Sequence, residues 1–255
     1  MKKIIFLSLL AFTLSLLSSH RLPAQSYELY FPLVSMDYCT NQHLQLNFLA
    51  FGDSITGCYY DSYYQTDFPY CGYEKRVYDR LNQQFGFCPN ALAFHNSSEG
   101  GEVTSGGLNR FLEAISNPNL ARMYPPAAIN TIPDLIIIME GTNDMNVGVA
   151  HDIVESNLRQ MVDIARQQGK QVILATITPA YGPDEALRQQ EIEAFYPRIF
   201  NIGQDYGIPV ADVYSRLYGH PEWMDADGLH FNDAGFDQMA DVFYQAIVDL
   251  MFPFS

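Results

Sequence analysis

Five predominantly apolar, strand-like runs punctuate the chain, at 46–51, 91–95, 135–139, 172–177 and 209–213. Each has the length of a strand. Ile136, Ile137 and Ile138 are apolar on successive positions rather than alternate ones, as in a strand buried on both faces. Between the runs, apolar residues recur at helical spacing over 74–85, 107–116, 152–168 and 185–206, and a last such segment covers 234–251. Gly169 is placed to end one helix and Asn232 to cap the last. Strands alternating with helices predict a parallel sheet covered on both sides: a three-layer α/β/α sandwich with a five-stranded parallel sheet, flavodoxin-like. Such sheets bind ligands outside the carboxyl ends of their strands. Ser54, Gly101 and Asn143 each fall just after a strand and are expected to face one crevice.

The pattern breaks at the N-terminus. Lys2 and Lys3 precede an uncharged apolar stretch over 4–17, short for a membrane span, and the small residues Ala24 and Ser26 follow two apart. This predicts a secretory signal peptide over 1–26 rather than a retained anchor, with a single domain over 27–255. No cysteine lies at the cleavage region, which argues against a lipoprotein. The net charge of the full chain is −15, and losing Lys2, Lys3 and Arg21 with the leader takes it to −18. Such a surface repels nucleic acid and anionic membranes. A secreted or periplasmic monomer is expected, without a nucleic-acid partner or a stable membrane anchor. All four cysteines, Cys39, Cys58, Cys71 and Cys88, survive cleavage. An even count in an exported chain favours two disulfides, and no Cys-x-x-Cys or His-x-x-x-His spacing supports zinc instead. Three pairings are open. Cys58 with Cys71, tying the loop after Ser54, and Cys39 with Cys88 are the pairs carried forward.

The chemistry concentrates in a few polar blocks. Gly52-Asp53-Ser54 ends the first apolar run and delivers a hydroxyl to the end of a buried strand. A serine there needs a base, and histidine titrates near neutrality. His230 has Asp227 three residues before it, an acid able to hold the other ring nitrogen as in a triad. Of the other histidines, His151 opens a helix and reads as solvated, and His95 sits in a strand as a satisfied core residue. His220 is the rival base, without an acid at fixed spacing. Asp53 and Asp144 read as supporting or capping groups. Glu102 with Arg110 reads as an ordinary surface pair in preference to a clamp on the glycine loop. No Gly-x-Ser-x-Gly, His-Glu-x-x-His or carboxylate cluster occurs, so neither the α/β-hydrolase elbow nor a metal is expected, and no cofactor is expected.

Four blocks in order, Gly52-Asp53-Ser54-Ile55, Asn96 to Thr104, Gly141-Thr142-Asn143-Asp144 and Asp227-x-x-His230, resemble the GDSL or SGNH hydrolase family over roughly 45–250. Ile55 stands at the usual Leu position, Ser98 where the family often has Gly, and Phe231 where a Pro often follows the histidine. The resemblance implies the same three-layer fold and a serine esterase. It also implies an oxyanion hole from the backbone N–H groups of Ser54 and Gly101 and the Asn143 amide. The chemistry agrees, since glycine permits close backbone approach and asparagine offers a neutral donor.

Between the nucleophile and the first helix lie Tyr59, Tyr60, Tyr63, Tyr64, Phe68, Tyr70 and Tyr73, bracketed by Cys58 and Cys71. Tyr59, Tyr60, Tyr63, Tyr64 and Tyr70 are candidate substrate contacts for a sugar or an acyl group, and packing of the loop is an equal use of the same rings. The expected substrate is a small-molecule or polysaccharide ester, with O-acetyl groups on carbohydrate foremost. The alternatives are a lipolytic esterase, lysophospholipase or thioesterase and, from another class, an inactive carbohydrate-binding module on the same scaffold.

Overall fold

The strands of the sheet bury side chains alternately into two separate cores, and that alternation fixes the layers. In a computed structural model, residues 46–59, 61, 71–85, 92–117, 122–124 and 132–251 are described. All of them lie within one compact unit, Val34–Ser255. The predicted leader, Cys39, Cys88, Tyr60, Tyr63, Tyr64 and Tyr70 lie outside the described residues.

The strands are β1 (Leu46–Gly52), β2 (Leu92–Ser98), β3 (Arg122–Tyr124), β4 (Leu135–Met139), β5 (Gln171–Ala175) and β6 (Val210–Ala211). The helices are α1 (Gly72–Phe85), α2 (Thr104–Ser116), α3 (Thr142–Val147), α4 (His151–Gln167), α5 (Ala186–Tyr206), α6 (Val213–Leu217) and α7 (Asp233–Met251). Phe48 and Ala50 of β1, with Ile137 of β4, pack against Val77 and Leu81 of α1 and Phe236, Met239 and Phe243 of α7. Leu49, Phe51, Ile136 and Ile138 point the other way, onto Phe111 of α2, Leu158 and Met161 of α4 and Phe195 of α5. The run of isoleucines is therefore apolar on both faces because both faces are covered. Each fully buried ring or branched side chain contributes about 1.5–3 kcal/mol relative to exposure.

The sheet order is β3-β2-β1-β4-β5-β6. The strands β2-β1-β4-β5-β6 are parallel, giving the predicted three-layer fold with five parallel strands, and β3 is added antiparallel at the edge. This sixth strand is three residues long, too short to leave a periodic pattern. β2 runs on to Ser98, beyond the predicted end at 95, because its polar end stays paired with β1. β6 is only two residues, shorter than predicted, because Asp212 turns the chain into α6 by accepting a hydrogen bond from Ser215 N at 3.1 Å. The short α3 also escaped the periodicity, since its six residues, TNDMNV, carry no apolar repeat.

His95 pairs with Leu49 of β1 and Met123 of β3. It is a core residue as expected but not a satisfied one, since its Nε2 finds no hydrogen-bond partner among the described residues. Burial pushes its imidazole down from 6.5 to about 4. Below pH 6.5 the unfolded chain gains a proton that the folded chain refuses until about pH 4, so stability falls across that window. Between those limits wild type should lose up to about 3 kcal/mol that His95→Leu retains, read by urea unfolding at both ends. Equal pH dependence in the two chains would count against this origin.

Candidate active site

Three strand ends are level. Gly52 of β1 stands in register with Ser98 of β2 and Met139 of β4, so the segments carrying Ser54, Gly101 and Asn143 leave the sheet side by side. The β1–β4 pair is also where the strand order reverses direction, the place where such sheets open a crevice. Past Gly52 the chain winds into tight turns, with Gly57 N donating to Asp53 O at 2.9 Å and Ile55 N to Asp53 Oδ1 at 2.9 Å. Asp53 is fully buried. Burial pushes its carboxyl up to about 6 despite the Ile55 N–H and the nearby His230.

The Ser54 hydroxyl meets His230 from the far end of the chain. Ser54 Oγ lies 2.8 Å from His230 Nε2, and His230 Nδ1 lies 2.6 Å from Asp227 Oδ2. The other Asp227 oxygen accepts the backbone N–H groups of Leu229 and His230, each at 2.9 Å. Burial works to raise the Asp227 carboxyl, but the His230 ring and the two backbone donors outweigh it and hold the group below its usual range. This loop is pinned at several points. Gly228 has φ +73°, and a Cβ there would lie 2.0 Å from Tyr181 O. Phe231, at the position of the family proline, is fully buried and bridges to Met224. Asn232 caps α7, accepting from Gly235 N at 3.2 Å.

Opposite lies the glycine turn. Gly101 has φ +77°, and a Cβ built there would meet nothing within 4 Å. No protein atom crowds the position, and the left-handed backbone is what calls for glycine here. Asn143 Nδ2 donates to Glu102 O at 2.8 Å and has a longer contact, 3.4 Å, to Asp53 Oδ2. Asp144 accepts from Thr104 N at 2.8 Å and from Thr104 Oγ1 at 2.7 Å, capping α2 from the neighbouring segment.

Three readings need correction. Glu102 and Arg110 are not an ordinary surface pair. Arg110 grips Glu102 and donates to Ser97 O at 3.1 Å, Ser97 Oγ at 2.9 Å and Gly52 O at 3.3 Å, while the Glu102 side chain is 6% exposed. His220 does have an acid, Glu222 Oε1 at 2.8 Å from Nδ1, and its ring stacks on Trp223. His151 is half-buried rather than solvated, held by Glu191 at 2.9 Å and edge-on to Phe195. Sequence reasoning missed Glu140, buried beside this cluster; the signal was a carboxylate directly after an apolar strand.

Of the aromatic loop, Tyr59 is 38% exposed and sets its ring 5.9 Å from the His230 ring. Tyr73 is fully buried and stacks on Phe243 at 4.4 Å, so it packs. Cys58 and Cys71 form a disulfide with Cα atoms 5.9 Å apart. The structure brings the two expected partners together, and the second pair lies outside the described residues.

The profile of the GDSL-like lipase/acylhydrolase family matches residues 50–238. An arylesterase of Vibrio mimicus is 29% identical over 151 residues, covering 56% of this chain and 66% of that protein. The esterase TesA of Pseudomonas aeruginosa is 30% identical over 139 residues, 53% of this chain and 59% of that protein. The chain thus matches somewhat less than two thirds of the length of these relatives. Among solved structures, a lipase/acylhydrolase from Enterococcus faecalis superposes with a TM-score of 0.64 at 23% identity, over 80% of this chain and 95% of that one. With a family profile spanning most of its length and the family's blocks meeting at one crevice, this chain belongs to the GDSL-like lipase/acylhydrolase family.

Proposed function

We propose that the chain is a carboxylic ester hydrolase that works through an acyl-enzyme on Ser54. The carrying observation is the unbroken hydrogen-bonded line from Ser54 Oγ through His230 to Asp227. In this reading His230 takes the serine proton as Oγ attacks the ester carbonyl, then returns it to the departing alcohol oxygen. Asp227, held ionised, fixes the ring and stabilises the imidazolium. The oxyanion that forms is received by the backbone N–H groups of Ser54 and Gly101 and by the Asn143 amide, one of whose two hydrogens is taken by Glu102 O. Water then repeats the attack and frees the serine.

The substrate we infer is a small acyl ester, O-acetyl on carbohydrate. Tyr59, a partly exposed ring 5.9 Å from the His230 ring, supports a sugar face beside the scissile bond. A second reading, a lipolytic esterase, draws on Val147, which is 64% exposed and one helical turn beyond Asn143 on α3. Export through the 1–26 leader as a monomeric domain over 27–255 completes the reading. The Cys58–Cys71 disulfide favours an oxidising compartment, and among the described residues no helix is long and apolar enough to cross a membrane. Hydrolysis of p-nitrophenyl esters by chain length, beside acetylated xylan and a lysophospholipid, separates these readings. A sharp acetate preference supports the first, long chains the second, and no turnover of any ester supports a binding module.

Ser54→Ala should abolish hydrolysis and leave the thermal midpoint nearly unchanged, because the covalent path is lost but little packing. Turnover like wild type in this variant would overturn the assignment. Asn143→Ala should lower kcat by about a hundredfold, roughly 3 kcal/mol, with a smaller change in KM. A rise in KM alone would make Asn143 a substrate contact. Replacing both Cys58 and Cys71 by Ser should cost about 3 kcal/mol of stability, for a closure of 13 residues. Because the loop borders Ser54, its ester selectivity should broaden in denaturant before global unfolding. Selectivity that holds until the domain unfolds would show the loop to be structural only.

A further inference from the structure

Beside the glycine turn lies an acid that the proposed reaction does not use. Glu140 follows β4 directly, its side chain is fully buried, and neither of its oxygens accepts a hydrogen bond from a described N–H donor. Its neighbours are few. The Glu102 carboxyl lies against it, Asp53 is close by on the β1 side, and Arg110 Nη2 of α2 is 4.0 Å from Oε1. Gly107, also on α2, leaves room for it: a Cβ there would stand 3.4 Å from Glu140 Oε1. Two carboxyls, Glu102 and Glu140, thus face one guanidinium, with Asp53 close to Glu140, at the foot of the site.

We propose that Glu140 is a positioning residue for the oxyanion donors, hydrogen-bonding the Glu102 carboxylate and so holding the Glu102–Arg110 clamp. That clamp reaches the donors twice. Glu102 is the next residue after Gly101, and its carbonyl is the acceptor that fixes the Asn143 amide at 2.8 Å. Arg110 already spends its hydrogens on Glu102, Ser97 and Gly52, so it cannot also neutralise Glu140 at hydrogen-bond distance. Burial and the adjacent Asp53 and Glu102 charges push the Glu140 carboxyl well above its usual range. That shift favours the neutral acid, with its O–H given to Glu102. At alkaline pH the proton leaves, two buried carboxylates face each other, and the turn carrying Gly101 is displaced.

This inference rests on the hydrolase reading, and the test keeps the two apart. Glu140→Leu and Glu140→Gln are compared with wild type for kcat and KM on p-nitrophenyl acetate across pH, for thermal midpoint, and for the infrared C=O band of a protonated carboxyl. Glu140→Leu should lower kcat by about ten- to a hundredfold, as small misplacements of reacting groups do, with KM little changed. Its midpoint should change little, since Glu102 keeps its Arg110 partner when the buried acid is removed. Glu140→Gln, whose amide donates to Glu102 at every pH, should keep kcat near wild type and lose the alkaline decline. Wild type at neutral pH should show a carboxylic acid band that Glu140→Gln lacks. An unaffected Glu140→Leu, a Glu140→Gln as slow as Glu140→Leu, an unchanged alkaline limb, or an active wild type without the band each overturns this inference alone. A wild type that turns over no ester overturns the hydrolase reading, and this inference with it.

Discussion

One guanidinium holds the ends of the sheet together. Arg110 reaches from α2 to the carbonyl of Gly52 on β1, to Ser97 on β2 and to Glu102 in the turn that follows, and lies 4.0 Å over the Phe51 ring. Parallel strands leave their last carbonyls without partners unless something donates to them. Here a single planar cation supplies several donors at fixed angles, which a lysine could not. The segments that follow β1 and β2 are therefore tied together where they leave the sheet. The half-buried cation is paired with a nearly buried carboxylate, so removing either would leave the other exposed to the full cost of burial.

The fold was legible because its strongest signals are redundant. The isoleucine run in β4 and the amphipathic spacing of α4 each state their environment directly, and they agree. What escaped was set by single hydrogen bonds rather than by pattern. Asp212 ends β6, and a three-residue antiparallel pairing adds β3. Helix α3 begins at polar residues whose fit is decided by Thr104 and Glu102 on another segment. For β3 and α3, no short window of sequence contains both halves of such contacts.

The site was legible to the same degree. Ser54, Asn143, Asp227 and His230 could be named from motif and chemistry; Ser54, His230 and Asp227 meet at hydrogen-bond distances, and Asn143 is fixed on Glu102 O of the glycine turn. Glu102, Arg110 and Glu140 could not be weighed from sequence, because their meaning is a matter of burial. Written in a row, a glutamate and an arginine eight residues apart signal no contact, since neighbours on a helix lie three or four apart. Only the closure of α2 over the strand ends turns the pair inward and gives it two carboxyl neighbours.

The Cys58–Cys71 bond has a mechanical consequence. It joins the turn carrying Ser54 to the start of α1, and Arg76 and Arg80 of α1 form ion pairs with Asp233, Asp237 and Asp241 of α7. Helix α7 begins three residues after His230. A serine and a histidine separated by 176 positions are thereby linked through a short mechanical loop of one covalent bond, two helices and a ladder of charges. Fraying of α7 would pull on both at once, so their spacing tolerates motion of the helical layer as a unit. The ladder is exposed and weakens as salt screens it, which leaves the covalent link as the part of the loop that ionic strength cannot loosen.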